Sequence, residues 1–285
     1  MSRPILCSVS GGRTSALLAK LLKDGRGTSN ILYVFANTGK EDEKTLIFLD
    51  RLDKAFGLNL VWVEALVYPE PGQGTKFSVV SFETASREGE PFESVIAKYG
   101  IPNKHYPNCN REMKLRPIHA YARTVLETDY ETAIGIRADE IDRISVHAAR
   151  EKIIYPLVKL GVTKADVLDF WKRQEFDLDL PEHHGNCVTC WKKSFRKLAT
   201  IAIERPDAFD FMRRMEGQYG YVGPGQFDGP RKFFRGNRSV NDIFSLASQP
   251  FEKFLDPNYQ AELDQAGDCS ESCDIYAGQE LEFDL

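Results

Sequence analysis

A chain of 285 residues, 42% of them hydrophobic, can bury the core of one sizeable domain with an extension, or of two small domains. No apolar run approaches bilayer-spanning length and the N-terminus lacks the apolar core and cleavage site of a secretory leader, so a soluble, cytoplasmic protein with no membrane partner is expected. The net charge of -5 hides a split: residues 186–238 carry eleven Lys and Arg against five acids, and residues 252–285 carry one Lys against ten acids.

Ile5–Val9 reads as the first strand and runs into SGGRTS, after which Thr14–Lys23 has the apolar spacing of a helix. Gly11 and Gly12 let the backbone turn sharply, and Ser10, Thr14 and Ser15 add hydroxyls. The helix that follows aims its free N–H groups and positive dipole end at the same point. That combination suits an anion, although a capped strand-to-helix turn has the same letters.

Further strands are expected at Ile31–Asn37, Leu60–Val67 and Ala133–Ile136. Helices are expected at Asp42–Phe56, Met113–Leu126, Thr163–Arg173 and Phe195–Glu204, with a turn-rich loop over residues 68–76. The alternation predicts an α/β fold, a doubly wound, mostly parallel, Rossmann-like sheet over residues 1–185. A basic, mostly helical extension over 186–250 and an acidic tail over 251–285 complete the chain. In such sheets ligands bind beyond the carboxyl ends of the strands, where the Gly-Gly turn falls.

Six cysteines in a chain of this kind are poor candidates for disulfides. Cys187 and Cys190 form a Cys-x-x-Cys pair in GNCVTCW, Cys109 stands in YPNCNREMK, Cys7 belongs to the first strand, and Cys269 and Cys273 lie in the tail. A Cys-x-x-Cys pair puts two thiolates within reach of one centre, and thiolates suit iron–sulfur clusters or zinc. A buried or redox-active pair without metal fits the same letters.

SGGRTS resembles the SGGx[DT]S loop of the PP-loop adenine nucleotide α-hydrolase superfamily, a HUP-type fold. Four further blocks resemble the phosphoadenylyl sulfate (PAPS) reductase family in its order: FANTGKEDEKTLIFLDRL, the CNREMKLRPI and GNCVTC pair of cysteine segments, GIRADE, and YPLVKLGVTKADVLDFW. Three departures stand out. Cys109 follows Asn108 where cluster-bearing reductases carry two adjacent cysteines, the SGGRTS consensus is complete, and GDCSESC replaces their C-terminal catalytic motif. The first two favour relatives that activate a substrate with ATP and then transfer sulfur, among them tRNA thiolation enzymes.

The resemblance implies ATP or an adenylyl sulfate as nucleotide, held by Ser10, Gly11, Gly12, Thr14, Ser15, Asn37, Thr38, Gly39, Gly135 and Lys114. Arg13 and Arg137 would neutralise pyrophosphate during adenylation, although each also reads as a surface salt bridge. Asp139, with Glu140, would hold Mg²⁺, although the two acids equally suit a helix cap or a pair with Arg143. Cys109, Cys187 and Cys190 would ligate a 4Fe-4S cluster. Zinc is the alternative, its fourth ligand drawn from His105, His183 or His184, although each of His183 and His184 alone also reads as a surface or structural histidine.

RPIHAYAR, WKKSFRK and GPRKFFRGNR interleave basic and aromatic side chains, a pattern that binds phosphates and stacks bases. Arg116, Lys192, Lys193, Arg196, Lys232 and Arg235 would be contacts for tRNA or another RNA; amphipathic helices share the pattern. Three functions stay open: an ATP-using sulfurtransferase served by a sulfur or electron donor protein, a PAPS or adenylyl sulfate reductase releasing sulfite, and a nucleotide- or nucleic-acid-binding module without catalysis.

Overall fold

The structure, a computed structural model, describes residues 3–26, 30–70, 72–126, 129–223 and 229–255; Cys269, Cys273 and the tail beyond residue 255 lie outside the described residues. In chain order the first half runs β1 (Ile5–Ser8), α1 (Arg13–Arg26), β2 (Ile31–Asn37), α2 (Glu43–Phe56), β3 (Val61–Leu66), β4 (Lys76–Val80) and α3 (Glu90–Tyr99). Next come α4 (Asn108–Asn110), a π-helical segment (Arg111–Leu115), α5 (Arg116–Leu126), β5 (Glu131–Ala133), β6 (Ile153–Ile154), α6 (Pro156–Lys159) and α7 (Lys164–Lys172). Helices α8 (Phe195–Glu204), α9 (Asp210–Tyr219) and α10 (Val240–Ala247) follow.

The sheet order is β4-β3-β2-β1-β5-β6, parallel except for the edge strand β4. Strand period sets the layers. Ile5, Cys7, Tyr33 and Phe35 pack with Leu18 of α1, Phe48 of α2 and Trp171 of α7, whereas their neighbours Leu6, Val34 and Ala36 pack with Ile118 and Ala122 of α5. Both faces are therefore buried, as a doubly wound parallel sheet requires. Burial also pushes the Cys7 thiol far up, leaving it an inert core residue.

The extension does not stand apart. Val188, Leu198, Phe209, Phe233 and Ile243 share one core with Phe92 and Ile96 of α3 and with Met113. Strand β5 begins two residues before its expected start and ends at Ala133, because the Ile136 N–H turns back onto the Ile134 carbonyl (3.0 Å). Of the described helices, none is long and apolar enough to cross a membrane.

Candidate nucleotide loop and thiol pocket

Two adjacent strands of the sheet, β1 and β5, deliver the first cluster. The chain leaves β1 through Gly11 at φ +88°, where an added Cβ would lie 2.5 Å from Thr45 Cγ2 of α2, so only glycine fits. Ser15 Oγ lies 3.0 Å from both the Ser10 N–H and Ser10 Oγ and donates to the Gly12 carbonyl, closing the loop over the first turn of α1. From the far side of β1, Gly135 passes so close that a Cβ would sit 3.0 Å from Ser15 Cα. Buried Arg137 follows, its guanidinium 3.3 Å from Thr14 Oγ1 and bound through Nε to Asp139 (3.0 Å) and through a terminal nitrogen to Glu140 (3.3 Å).

Two expected nucleotide contacts are otherwise engaged. Arg13 turns to Asp177 (Nε to Oδ1, 2.7 Å) and the Leu178 carbonyl, while Trp171 Nε1 donates to the Arg13 carbonyl (3.0 Å). Its bidentate carboxylate pair fastens the segment after α7 to α1. Asn37 is buried, its amide nitrogen donating to Glu64 (2.6 Å) and the Ser86 carbonyl (2.8 Å), its oxygen accepting from the Gly39 N–H (3.3 Å). These bonds let the side chain shape the turn after β2.

That turn meets the cysteine loop. Thr38 Oγ1 lies 3.3 Å from Cys187 Sγ, Glu41 accepts from the Thr38 N–H (3.0 Å), and the Val188 N–H donates to the Lys40 carbonyl (3.2 Å). Gly39, at φ +75°, is pressed against the backbone of Gly89. Beneath the loop, Lys193 donates to the carbonyls of Gly185 (2.9 Å), Cys187 (3.0 Å) and Val188 (2.7 Å). Only 3% exposed, this lysine is an internal post of the cysteine loop and not the RNA contact its sequence neighbourhood suggests.

Cys109, Cys187 and Cys190 line one recess, together with Asn110, Lys114 and Trp191 and an apolar wall of Phe92 and Met212. Pro117 helps to build it. Proline has no N–H for the Met113 carbonyl and clashes with it, and the helix widens into the π segment one turn earlier. The wider turn brings Lys114 into the recess beside Asn110 and Cys109. Three thiolates on one zinc at about 2.3 Å would lie within about 4.6 Å of one another. Among the described residues, the trio with all its ligand atoms within 4.8 Å is His183, His184 and Glu204, not the three cysteines. His183 and His184 bond to Glu204 (2.8 and 3.0 Å).

The other basic residues are partly committed. Arg196 donates to the carbonyls of Glu252 and Lys253, Arg235 to that of Lys193, Lys232 pairs with Asp242, Arg116 pairs with Glu112, and Lys192 lies over the Trp191 ring.

The nin region protein ORF290 of Escherichia phage lambda is 32% identical over 285 residues, covering 98% of this chain and 97% of that protein. The chain belongs to the family of that phage protein. A protein of Methanocaldococcus jannaschii is 25% identical over 140 residues, 49% of this chain and 24% of its own length. No protein-family model matches. Among solved structures, an NH3-dependent NAD synthetase from Campylobacter jejuni in complex with nitrate aligns over 80% of this chain and 90% of its own, with TM-score 0.39 and 14% identity.

Proposed function

We propose that this chain is a PP-loop enzyme that uses ATP to adenylate an acceptor oxygen and then replaces that oxygen with sulfur. One observation carries the reading. Strand order reverses between β1 and β5, and the Ser10–Ser15 loop and the Gly135–Arg137 segment leave the carboxyl ends of those two strands. Open α/β sheets bind ligands at such a switch point.

In this reading the N–H groups opening α1 hold phosphate oxygens, Ser10, Thr14 and Ser15 add hydroxyl contacts, and Gly135 lets the backbone close in. Arg137 neutralises charge as pyrophosphate departs, and Asp139, half-exposed beside it, offers an oxygen to Mg²⁺. The acceptor oxygen attacks the α-phosphorus, the bond to the β-phosphate oxygen breaks, and pyrophosphate leaves. The adenylated oxygen then departs as AMP when hydrosulfide-type sulfur takes its place on carbon. Cys109, Cys187 and Cys190 would hold a 4Fe-4S cluster, which when bound supplies a place to take up and release sulfur. Lys114, in the same recess, supplies positive charge beside it.

The test is turnover by protein purified without oxygen, following AMP and pyrophosphate from ATP with and without bulk tRNA, and sulfite from adenylyl sulfates with a thiol reductant. ATP cleavage lost in Arg137→Ala supports the proposal, and stimulation by tRNA names the acceptor class. Sulfite release without ATP cleavage would replace it with the reductase reading. Nucleotide binding with neither product would leave a binding module.

A further inference from the structure

We propose that His183, His184 and Glu204 form a binding site for a divalent metal ion of the zinc type, separate from the thiol pocket. One ligand atom from each lies within 4.8 Å of the others. Both imidazole Nε2 atoms converge on the same carboxylate oxygen, at 2.8 and 3.0 Å. Ligand atoms around a tetrahedral zinc at about 2.0–2.1 Å stand roughly 3.3 Å apart, so a small outward shift of the three would admit the ion.

Hydrogen bonding alone leaves the trio incomplete. His183 is 4% exposed, and its Nδ1 is buried with no hydrogen-bond partner. The two buried rings stand edge to face at 4.4 Å, His183 backed by Phe254, so both imidazoles are held facing the one carboxylate.

The nearby cations have their charge met elsewhere. Lys193 is taken up by three loop carbonyls, and Lys197 and Lys164 both pair with Glu182, at 3.2 and 2.9 Å. Glu204 keeps 37% of its side chain exposed, which gives an ion a path in and a water a fourth position. Two imidazoles, one carboxylate and a water make the donor set of many zinc centres. Here the ion would tie the turn leading into the Cys187 loop to the end of α8.

The experiment uses the full chain, dialysed against a chelator and titrated with zinc alone against a chromophoric competitor, then with cobalt(II). One zinc per chain is expected, with a higher Tm on binding and the stoichiometry kept in Cys187→Ser. Glu204→Gln keeps the shape and an acceptor oxygen, and should weaken zinc binding more than about tenfold with its far-UV circular dichroism unchanged; His184→Ala should do the same. Cobalt should give weak ligand-field bands without sulfur-to-metal charge transfer. The proposal falls if the wild type takes up no zinc, or if cobalt shows thiolate charge transfer alone. It also falls if binding survives Glu204→Gln and is lost in Cys187→Ser. Should a variant fail to fold, the wild-type cobalt spectrum decides.

Discussion

Cys187 Sγ lies 3.3 Å from Thr38 Oγ1, and this contact joins the thiol pocket to the turn after β2. The two segments are 149 residues apart in sequence, yet Glu41 and Cys187 also pair as a short β-bridge. Anything that stiffens the turn should therefore shield the thiol. Mg-ATP is expected to slow alkylation of Cys187 several-fold, measured peptide by peptide by mass spectrometry. Thr38→Val, which keeps the volume and removes the hydroxyl, should reduce that protection. Equal rates with and without nucleotide would separate the two sites.

Pro117 should matter more for the pocket than for stability. Pro117→Ala restores an N–H for the Met113 carbonyl and allows the π segment to tighten to α-helical spacing. Removing one residue from a turn rotates what precedes it by roughly 100°, which would swing Cys109 out of the recess. The variant is expected to melt no lower than the wild type while losing iron on anaerobic reconstitution. Unchanged iron uptake would show that Cys109 does not need the wide turn.

Glycines 11 and 135 carry steric predictions with different remedies. Gly135→Ala would press a methyl against the Ser15 backbone, costing about 1–3 kcal/mol and most of the ATP turnover. Gly11→Ala meets both a side chain and a left-handed φ. Pairing it with Thr45→Ser removes the methyl contact but not the backbone strain, so partial recovery in urea unfolding is expected. Full recovery would mean that the strain is negligible.

Lys193 supports the cysteine loop by charge. Lys193→Met keeps the aliphatic stem and takes the ammonium from the Gly185 and Val188 carbonyls, while the Cys187 carbonyl keeps the Cys190 N–H, at about 1–3 kcal/mol for each buried group that water does not reach. A loss of several kcal/mol in chemical denaturation, with alkylation of Cys187 accelerated, is expected. A variant as stable as wild type would show that water replaces the ammonium.

Much of this layout was legible in the sequence because it is local. Ile31–Asn37 and Phe195–Glu204 form with the expected ends, and Asp42 and Thr163, read as first helical residues, are the N-caps. Strand β4 was not expected, since residues 68–76 carry turn signals and Lys76–Val80 gains its ladder from β3. Helix α3 escaped notice too, its apolar face being matched by distant Phe211 and Phe233. At the site, glycine and hydroxyl spacing announced the loop at β1. The partners of Arg13 and Asn37 lie 164 and 27 residues away, and no local pattern encodes them. The approach of His183 and His184 to Glu204 had only the HH pair and an α8 acid as its signal.

His119 gives a pH prediction. It is a buried residue of α5 with Nδ1 2.8 Å from the Tyr130 hydroxyl, and burial, then the Arg123 charge, lowers its pKa from the ordinary 6.5 to about 4. Because the folded value lies below the unfolded one, the unfolded chain binds this proton first as the pH falls. The stability His119 contributes is complete above pH 6.5 and is lost as the pH drops toward 4, to a total of about 3 kcal/mol at roughly 1.4 kcal/mol per pH unit. Carboxylates add their own acid loss, so the comparison is with His119→Gln, which keeps a partner for Tyr130 and cannot titrate. Urea unfolding at pH 7 and pH 4.5 should show a steeper fall for the wild type than for the variant. Parallel falls would mean that His119 takes up its proton in the folded protein as easily as in the unfolded one.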